Sequence, residues 1–122
     1  MIQVQYIACT NDAGFVMSFA VKWLDQSGEW HTTKWDSGHY PIDQTRTTPD
    51  LTTIGVPSDA VAIVPFVDAV LGKNETGSPY VQYATNGHTA VFEVKGTTLD
   101  YSVKLIGPAA EAQATPAAAV GG

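Results

Sequence analysis

The feature that most constrains the fold is the segment from Gly14 to Trp23, in which a large apolar side chain stands at every second position. The apolar positions are Phe15, Met17, Phe19, Val21 and Trp23. A β-strand places residues i, i+2 and i+4 on one face, whereas a helix would distribute them around its surface. The segment therefore predicts a central strand that buries one face in a core.

Other short segments of alternating or β-branched residues follow, and turn-forming residues separate them. They are Ile2 to Ala8, Glu29 to Trp35, Ala60 to Val70, Tyr80 to Tyr83, Val91 to Val94 and Tyr101 to Ile106. Short strands at this spacing are typical of β-sandwiches. The sequence predicts an all-β fold, a two-sheet antiparallel β-sandwich of the immunoglobulin-like kind.

Three local features predict how the strands connect. The turn at Asn11 to Gly14 suggests that the first strand pairs with the central strand as a hairpin. Asn86-Gly87, a strong hairpin signal, predicts that the flanking segments pair with each other. Pro65 predicts an edge strand or a bulge, since proline cannot donate to a ladder. Residues 40–57 are predicted to form a crossing loop with a helical turn at 50–54.

The composition changes near residue 107. Residues 1–106 carry the strand patterns, whereas residues 107–122 consist mainly of alanine, proline and glycine and contain no aromatic residue. Such a segment cannot bury enough apolar surface to order itself. We expect a sandwich domain at 1–106 and a low-complexity tail at 107–122.

The charge balance limits the possible partners. The chain has a formal net charge of −6, from six Lys+Arg and twelve Asp+Glu. Nucleic acids and anionic lipid head groups reward clustered basic residues, so we expect neither as an electrostatic partner. Only 15% of the residues are charged, and such a weakly charged surface favours close packing against a partner or another copy.

The N-terminal region and the single cysteine bear on the compartment. The segment MIQVQYIACT lacks a basic n-region and alternates like a strand, which differs from a signal peptide. We expect a protein made in the cytoplasm, which reaches an outer surface only by release or a non-classical route. Cys9 is expected to be a buried, inert thiol.

Few residues offer catalytic or metal chemistry. His31, Asp36, His39 and Asp43 lie close in sequence, but their spacing matches no common ligand motif, and no Gly-x-Ser-x-Gly element is present. We expect solvated turn residues, no catalytic residue, no metal or cofactor, and no enzyme activity. Asn74-Glu75-Thr76 fits a glycosylation acceptor but is expected to be a turn. Trp30 is the one tryptophan expected to offer an exposed platform, on which a sugar ring could stack.

Several pieces of the sequence resemble a known family in the same order. They are Gly14-Phe15-Val16 with Phe19, Val21 and Trp23; Trp35-Asp36; Val56-Pro57 with Ala60 and Ile63; and Val94 followed by Gly96-Thr97-Thr98-Leu99. Together they resemble the C-terminal, membrane-binding β-sandwich domain of the cholesterol-dependent, thiol-activated cytolysins. The resemblance implies that Thr98 and Leu99 recognise cholesterol at a membrane.

The chain departs from that family at one important place. The family's Trp-rich, cysteine-containing undecapeptide should follow the strand around Ile63, but residues 67–74 contain neither tryptophan nor cysteine. The resemblance therefore implies a non-catalytic binding module that recognises a membrane, a glycan or a protein surface through its end loops. The alternative is a structural subunit that assembles with its own copies through the tail.

Overall fold

A computed structural model of the chain describes residues 1–108. Ten strands alternate with turns: β1 Gln3–Val4, β2 Tyr6–Asn11, β3 Met17–Leu24, β4 Trp30–Thr32, β5 Thr45–Thr47, β6 Ala62–Ala69, β7 Asn74–Thr76, β8 Gln82–Tyr83, β9 Thr89–Thr97 and β10 Asp100–Pro108. A short 3₁₀ helix, Leu51–Ile54, lies between β5 and β6, where the sequence predicted a helical turn. None of the helical structure within residues 1–108 has the length and apolar character needed to cross a membrane.

The strands form the all-β sandwich that the sequence predicted. One sheet has the order β10-β9-β2-β5 and the other has the order β4-β3-β6-β7. A small third sheet pairs β1 with β8. The pairs are antiparallel except β1 with β8 and β2 with β9, which are parallel.

The core lies between the two larger sheets and includes the predicted apolar stripe. Met17, Phe19 and Val21 of β3 are fully buried. They pack with apolar residues of β2, β6, β9 and β10, namely Ile7, Cys9, Ile63, Val67, Phe92, Val94, Tyr101 and Val103. Trp23, the last residue of the predicted stripe, is only partly buried against this cluster, as is Leu105 of β10. The prediction of a buried thiol at Cys9 is confirmed, and burial raises its pKa.

The predicted hairpin between the first strand and β3 is wrong. β2 pairs with β5 and β9, and β3 pairs with β4 and β6, so β2 and β3 lie in opposite sheets. Both strands carry an apolar stripe, and placing them in facing sheets buries the two stripes against each other. The turn after Asn11 therefore crosses between sheets.

The predicted hairpin around Asn86-Gly87 is also wrong. β8 pairs with β1, whereas β9 pairs with β10 and β2. The N-terminal segment occupies this region instead: Asn86 donates a side-chain hydrogen bond to the Gln3 carbonyl at 2.9 Å, and the Gln5 side chain accepts one from the Gly87 amide at 2.8 Å. The turn residues are satisfied by a distant part of the chain, which a local motif does not reveal.

Pro65 does not mark an edge or a break. It lies inside β6, opposite Val21 in an unbroken register with β3, and β7 pairs on the other side of β6. Its carbonyl accepts a hydrogen bond from the Gly77 amide at 2.9 Å, just beyond the end of β7. A strand residue directs its N–H and C=O to the same side. The nitrogen of Pro65, which has no hydrogen to donate, therefore faces the β7 side, and the ladder with β3 loses no bond.

The final strand extends past the boundary expected at residue 106. β10 ends at Pro108, with a register shift between Leu105 and Gly107. The rest of the predicted tail lies outside the described residues. The division of the chain at residue 106 and the role of the tail stay predictions.

Candidate functional site

Three turns meet at one end of the sandwich, near the start of β3. They connect β2 to β3, β6 to β7 and β9 to β10. We call this end the tip and define it by its exposed apolar residues: Val16, Val70, Leu71 and Leu99. The tip combines a turn that the sequence predicted, around Thr98 and Leu99, with two others.

The first turn is organised by a buried asparagine. Asn11 donates through its side-chain amide to the carbonyl of Phe15 at 2.8 Å and to that of Tyr40 at 3.2 Å. Its side-chain oxygen accepts from the Ala13 amide at 3.0 Å. These bonds satisfy all of a polar side chain that is 0% exposed, and they leave Val16 at the surface.

The second turn is packed against both the first and the third. The amide of Val70 donates to the carbonyl of Val16 at 2.9 Å, and the amide of Lys73 donates to the carbonyl of Thr98 at 3.0 Å. At Gly72, a Cβ atom would lie 2.4 Å from the Thr98 carbonyl oxygen, so only glycine permits this approach. The turns that carry Leu71 and Leu99 are therefore neighbours.

The third turn is a tight hairpin whose two central residues are Thr98 and Leu99. Thr97 and Asp100 pair across it, and Gly96 pairs with Tyr101. Gly96 has a φ of 130°, and a Cβ there would lie 2.4 Å from the Asp100 carbonyl oxygen. Glycine at position 96 allows the twist that places Leu99 at the end of the hairpin.

Tyr101 supports all three turns from below. Its ring packs against Phe15 with centroids 4.9 Å apart, and its hydroxyl donates to the Lys73 carbonyl at 2.6 Å. Burial raises the pKa of Tyr101 to about 12, so the hydroxyl stays protonated as a donor. The tip thus rests on a buried, hydrogen-bonded base.

The leucines of the tip are unusually exposed. Leu71 is 98% exposed and Leu99 is 73% exposed. Leu71 also has a φ of 59°, a left-handed conformation that is uncommon for any residue with a Cβ atom. Exposed apolar side chains grouped on neighbouring turns are typical of surfaces that contact a partner or a membrane.

Acidic residues surround these side chains. Asp12 lies in the first turn and Asp100 follows Leu99, while Lys73 is paired with Glu75 at 3.2 Å. Glu93 lies beside Asp12, and a hydrogen bond with Asp12 is the main cause that raises the pKa of Glu93. The tip therefore presents apolar side chains within a mildly acidic rim, which does not favour an anionic partner.

Trp30, the third predicted binding residue, lies away from Thr98 and Leu99. It is at the start of β4, opposite Leu24 at the end of β3, whereas the tip lies at the beginning of β3. At about 3.3 Å per residue, the length of β3 separates them by roughly 20–25 Å. Trp30 is 41% exposed, as expected of a platform, and its ring meets that of Tyr80 with centroids 5.4 Å apart.

The acid and histidine grouping of the sequence is not brought together. His31, Asp36, His39 and Asp43 are all exposed, and His31 Nε2 lies 2.7 Å from Asp25 Oδ2. Asp25 Oδ1 accepts hydrogen bonds from the amides of Ser27 and Glu29 and from the Ser27 hydroxyl. These bonds, with that to His31 as the largest contribution, lower the pKa of Asp25. They account for both carboxylate oxygens, so Asp25 and His31 stabilise the turn before β4, to which Glu29 contributes its backbone amide.

Comparison with known proteins gives matches only among solved structures. A scan against protein-family models found no match, and neither did a search of the curated proteins. The chain is similar to listeriolysin O, with 16% identity and a TM-score of 0.46 over 84% of this chain and 22% of that one. It is similar to a disulfide-locked mutant of intermedilysin solved with human CD59, with 16% identity and a TM-score of 0.46 over 84% of this chain and 24% of that one.

It is also similar to the membrane-binding domain of pneumolysin, with 13% identity and a TM-score of 0.45 over 81% of this chain and 92% of that one. The chain spans 22% and 24% of the length of listeriolysin O and intermedilysin. These proteins are cytolysins, the family that the sequence resemblance named. At these identities the similarity concerns the fold alone.

Sequence reasoning missed the most exposed residue of the tip. Leu71 lies within residues 67–74, the stretch in which the undecapeptide is lacking. A leucine placed directly before glycine in a polar loop was the available signal. The sequence pattern predicts Val16 and Val70 inside strands, and their exposure depends on where β3 begins and β6 ends.

Proposed function

We propose that this chain is a non-catalytic module that binds a membrane surface through its tip. The observation that carries the proposal is the placement of Leu71 and Leu99, both largely exposed, on neighbouring turns that a buried tyrosine holds together. A membrane interface would remove both side chains from water, and the hydrogen bonds that already hold the turns together reduce the backbone ordering that binding requires.

The expected affinity is low for one copy. Transfer of a leucine side chain from water contributes about 1.5–3 kcal/mol, so the two leucines supply about 3–6 kcal/mol. A millimolar dissociation constant corresponds to about 4 kcal/mol and a micromolar one to about 8 kcal/mol. Stable attachment therefore needs several copies on one surface or a specific lipid contact.

Sterol is the specific lipid that the sequence resemblance implies for Thr98 and Leu99. The two residues form the centre of the β9–β10 hairpin turn, so they reach a membrane together. The acidic rim supports a neutral lipid over an anionic one. We propose phosphatidylcholine membranes with cholesterol as the preferred surface.

Vesicle flotation tests this function. The full chain is mixed with phosphatidylcholine vesicles with and without cholesterol, and we expect it to float only with the sterol-containing vesicles. The double variant Leu71→Ser with Leu99→Ser should stay in solution. Ile106→Ser, which removes an exposed apolar side chain near the opposite end of β10, is the matched control and should float like the wild type.

Two outcomes contradict the proposal at different levels. Equal flotation with and without cholesterol removes the sterol interpretation but leaves the membrane surface. If the wild type fails to float with either vesicle, or if the double variant floats as well as Ile106→Ser, the tip is not a membrane-binding site.

A further inference from the structure

A second binding surface lies on the outer face of the β4-β3-β6-β7 sheet. It is a pocket of about 210 Å³ lined by Lys22, Trp30, Val64, Thr76 and Tyr80. Its residues come from β3, β4, β6, β7 and the segment before β8. It is independent of the tip, from which it is separated along β3.

The sheet register explains how this pocket forms. Val64 pairs with Lys22 in the β3–β6 ladder, and both side chains lie on the outer face, because the alternate residues Val21 and Ile63 are in the core. Although it faces outward, Val64 is only 1% exposed. It therefore forms the floor of the pocket, and the side chains around it form the walls.

Two aromatic rings form one corner of the pocket. Trp30 and Tyr80 are 41% and 46% exposed, and their planes meet at 64°. An exposed aromatic corner offers ring faces to a ligand while the ligand's edges remain in contact with water. That arrangement fits a sugar ring, which has an apolar C–H face and hydroxyl groups at its edge. The volume is below the ~300–1,000 Å³ of pockets that enclose drug-sized ligands, so one ring is the expected occupant.

A single positive charge completes the pocket. The ammonium of Lys22 lies 4.3 Å from the centroid of the Phe66 ring, which holds it over the outer face of the sheet. In the part of the chain that the structure describes, the ion pairs join other residues and none includes Lys22. The protein has twice as many acidic as basic residues, yet no carboxylate of the described residues pairs with Lys22. Its ammonium, beside the aromatic corner, therefore favours a ligand that carries a carboxylate.

We propose that this pocket binds a sugar residue that carries a carboxylate, with the ring stacked in the Trp30–Tyr80 corner and the carboxylate paired with Lys22. The Thr76 hydroxyl supplies a further polar contact for the ring's hydroxyl groups. Such residues end the glycans of both glycoproteins and glycolipids, and the recognised chemistry is the same in each.

Nuclear magnetic resonance with free monosaccharides tests the proposal on the full chain. The three tryptophans give three indole N–H signals, of which Trp23 and Trp35 are internal references. N-acetylneuraminic acid or glucuronic acid should shift the Trp30 signal saturably and leave the other two in place. Glucose, which has no carboxylate, and acetate or benzoate, which have no sugar ring, should bind at least about tenfold more weakly.

Three variants assign the contacts. Trp30→Ala lacks the reporting indole, so its binding is measured by isothermal titration calorimetry beside the wild type, and it should be at least about tenfold weaker. Lys22→Gln should reduce it to the level seen with glucose. Lys104→Gln removes the same charge from an exposed position on the other sheet, so it is the matched control and should bind like the wild type. Melting temperatures near that of the wild type confirm that the variants fold, as expected for residues at the surface.

Several results would overturn the proposal. They are a Trp30 signal that does not move up to the solubility limit of both acidic sugars, benzoate binding as strong as that of the sugar, and Lys22→Gln binding like Lys104→Gln. If the pocket is confirmed, flotation with vesicles that contain an acidic glycolipid, and capture by a glycoprotein with acidic sugar termini, distinguish the two sources. The double variant Leu71→Ser with Leu99→Ser is tested in the same glycoprotein assay. It should still be captured, because its substitutions lie at the tip and leave this pocket intact.

Discussion

The hydroxyl of Tyr101 donates a hydrogen bond of 2.6 Å to the backbone carbonyl of Lys73, and so connects the β9–β10 hairpin to the turn that carries Leu71. The same hydroxyl lies 3.3 Å from the Val67 carbonyl. Because the ring of Tyr101 also packs on Phe15, one side chain contacts residues that lead into each of the three turns of the tip.

Tyr101→Phe tests this connection. The variant keeps the ring but removes the shorter of two hydrogen bonds to the Lys73 carbonyl, which also accepts one from the Ala69 amide at 3.3 Å. The loss should lower the free energy of unfolding by about 0.5–1.5 kcal/mol. Urea denaturation measures the change, and sterol-vesicle binding should weaken as the two turns separate. Tyr80→Phe, which removes a hydroxyl from an exposed ring, is the matched control. Equal stability of the two variants would show that the bond contributes little.

Gly72→Ala tests the close approach of the second and third turns. The added Cβ would lie 2.4 Å from the Thr98 carbonyl oxygen, so the backbone must shift. We expect a loss of about 1–3 kcal/mol in stability, measured by thermal or urea denaturation. Gly14→Ala is the matched control in the first turn, where a Cβ meets nothing within 4 Å, and it should change stability by no more than about 0.5–1 kcal/mol. Equal losses in both would contradict the packing.

The hydrogen bonds of Asp50 predict that the free energy of unfolding depends on pH in the acidic range. Its carboxylate accepts hydrogen bonds from Gln5 at 2.7 Å, from the Thr52 amide at 2.9 Å and from the Tyr83 hydroxyl at 2.8 Å. With the Gln5 bond as the largest cause, these bonds lower the pKa of Asp50 from 3.8 to about 2. A carboxyl group with a lower pKa in the folded protein contributes stability above its unfolded pKa, and that stability is lost as the pH falls through the folded value.

The free energy of unfolding should therefore fall as the pH is lowered from about 4 to about 2. Asp50→Asn should be less stable at neutral pH and should show a shallower decline across this interval. Denaturant titrations at a series of pH values measure both slopes, and Asp59→Asn, at an exposed turn residue, controls for the loss of one negative charge. Parallel slopes for the wild type and Asp50→Asn would remove Asp50 as a source of the dependence.

The alternative function, assembly through the tail, gives a separate prediction. Residues 108–122 have no large apolar side chain except Val120, so the sequence predicts that this segment orders only along a groove or sheet edge of a neighbouring copy. Deleting residues 109–122 should then convert an oligomer into a monomer while the melting temperature changes little. Size-exclusion chromatography with light scattering measures this, and an unchanged mass after deletion would contradict the assembly hypothesis.

The sequence by itself determined the class of the fold and most of the core. The alternation along β3 is a local pattern, and a strand with four large apolar residues on one face has to bury most of that face, whatever its neighbours are. It also determined the Thr98-Leu99 turn, because glycine at position 96 and the strands on both sides belong to one continuous segment. These features depend on residues close together in the chain.

Only the tertiary structure decided which strands pair and which loops meet. The hairpins predicted at Asn11 and at Asn86-Gly87 were wrong because distant groups, the Tyr40 carbonyl in the first case and Gln3 and Gln5 in the second, satisfy those turns. The neighbouring positions of Leu71 and Leu99, and the pocket between Lys22 and Tyr80, likewise join residues far apart in the chain. Alternation specifies which face of a strand is buried, but pairing depends on long-range hydrogen bonds and on packing between sheets, for which a local pattern carries no information.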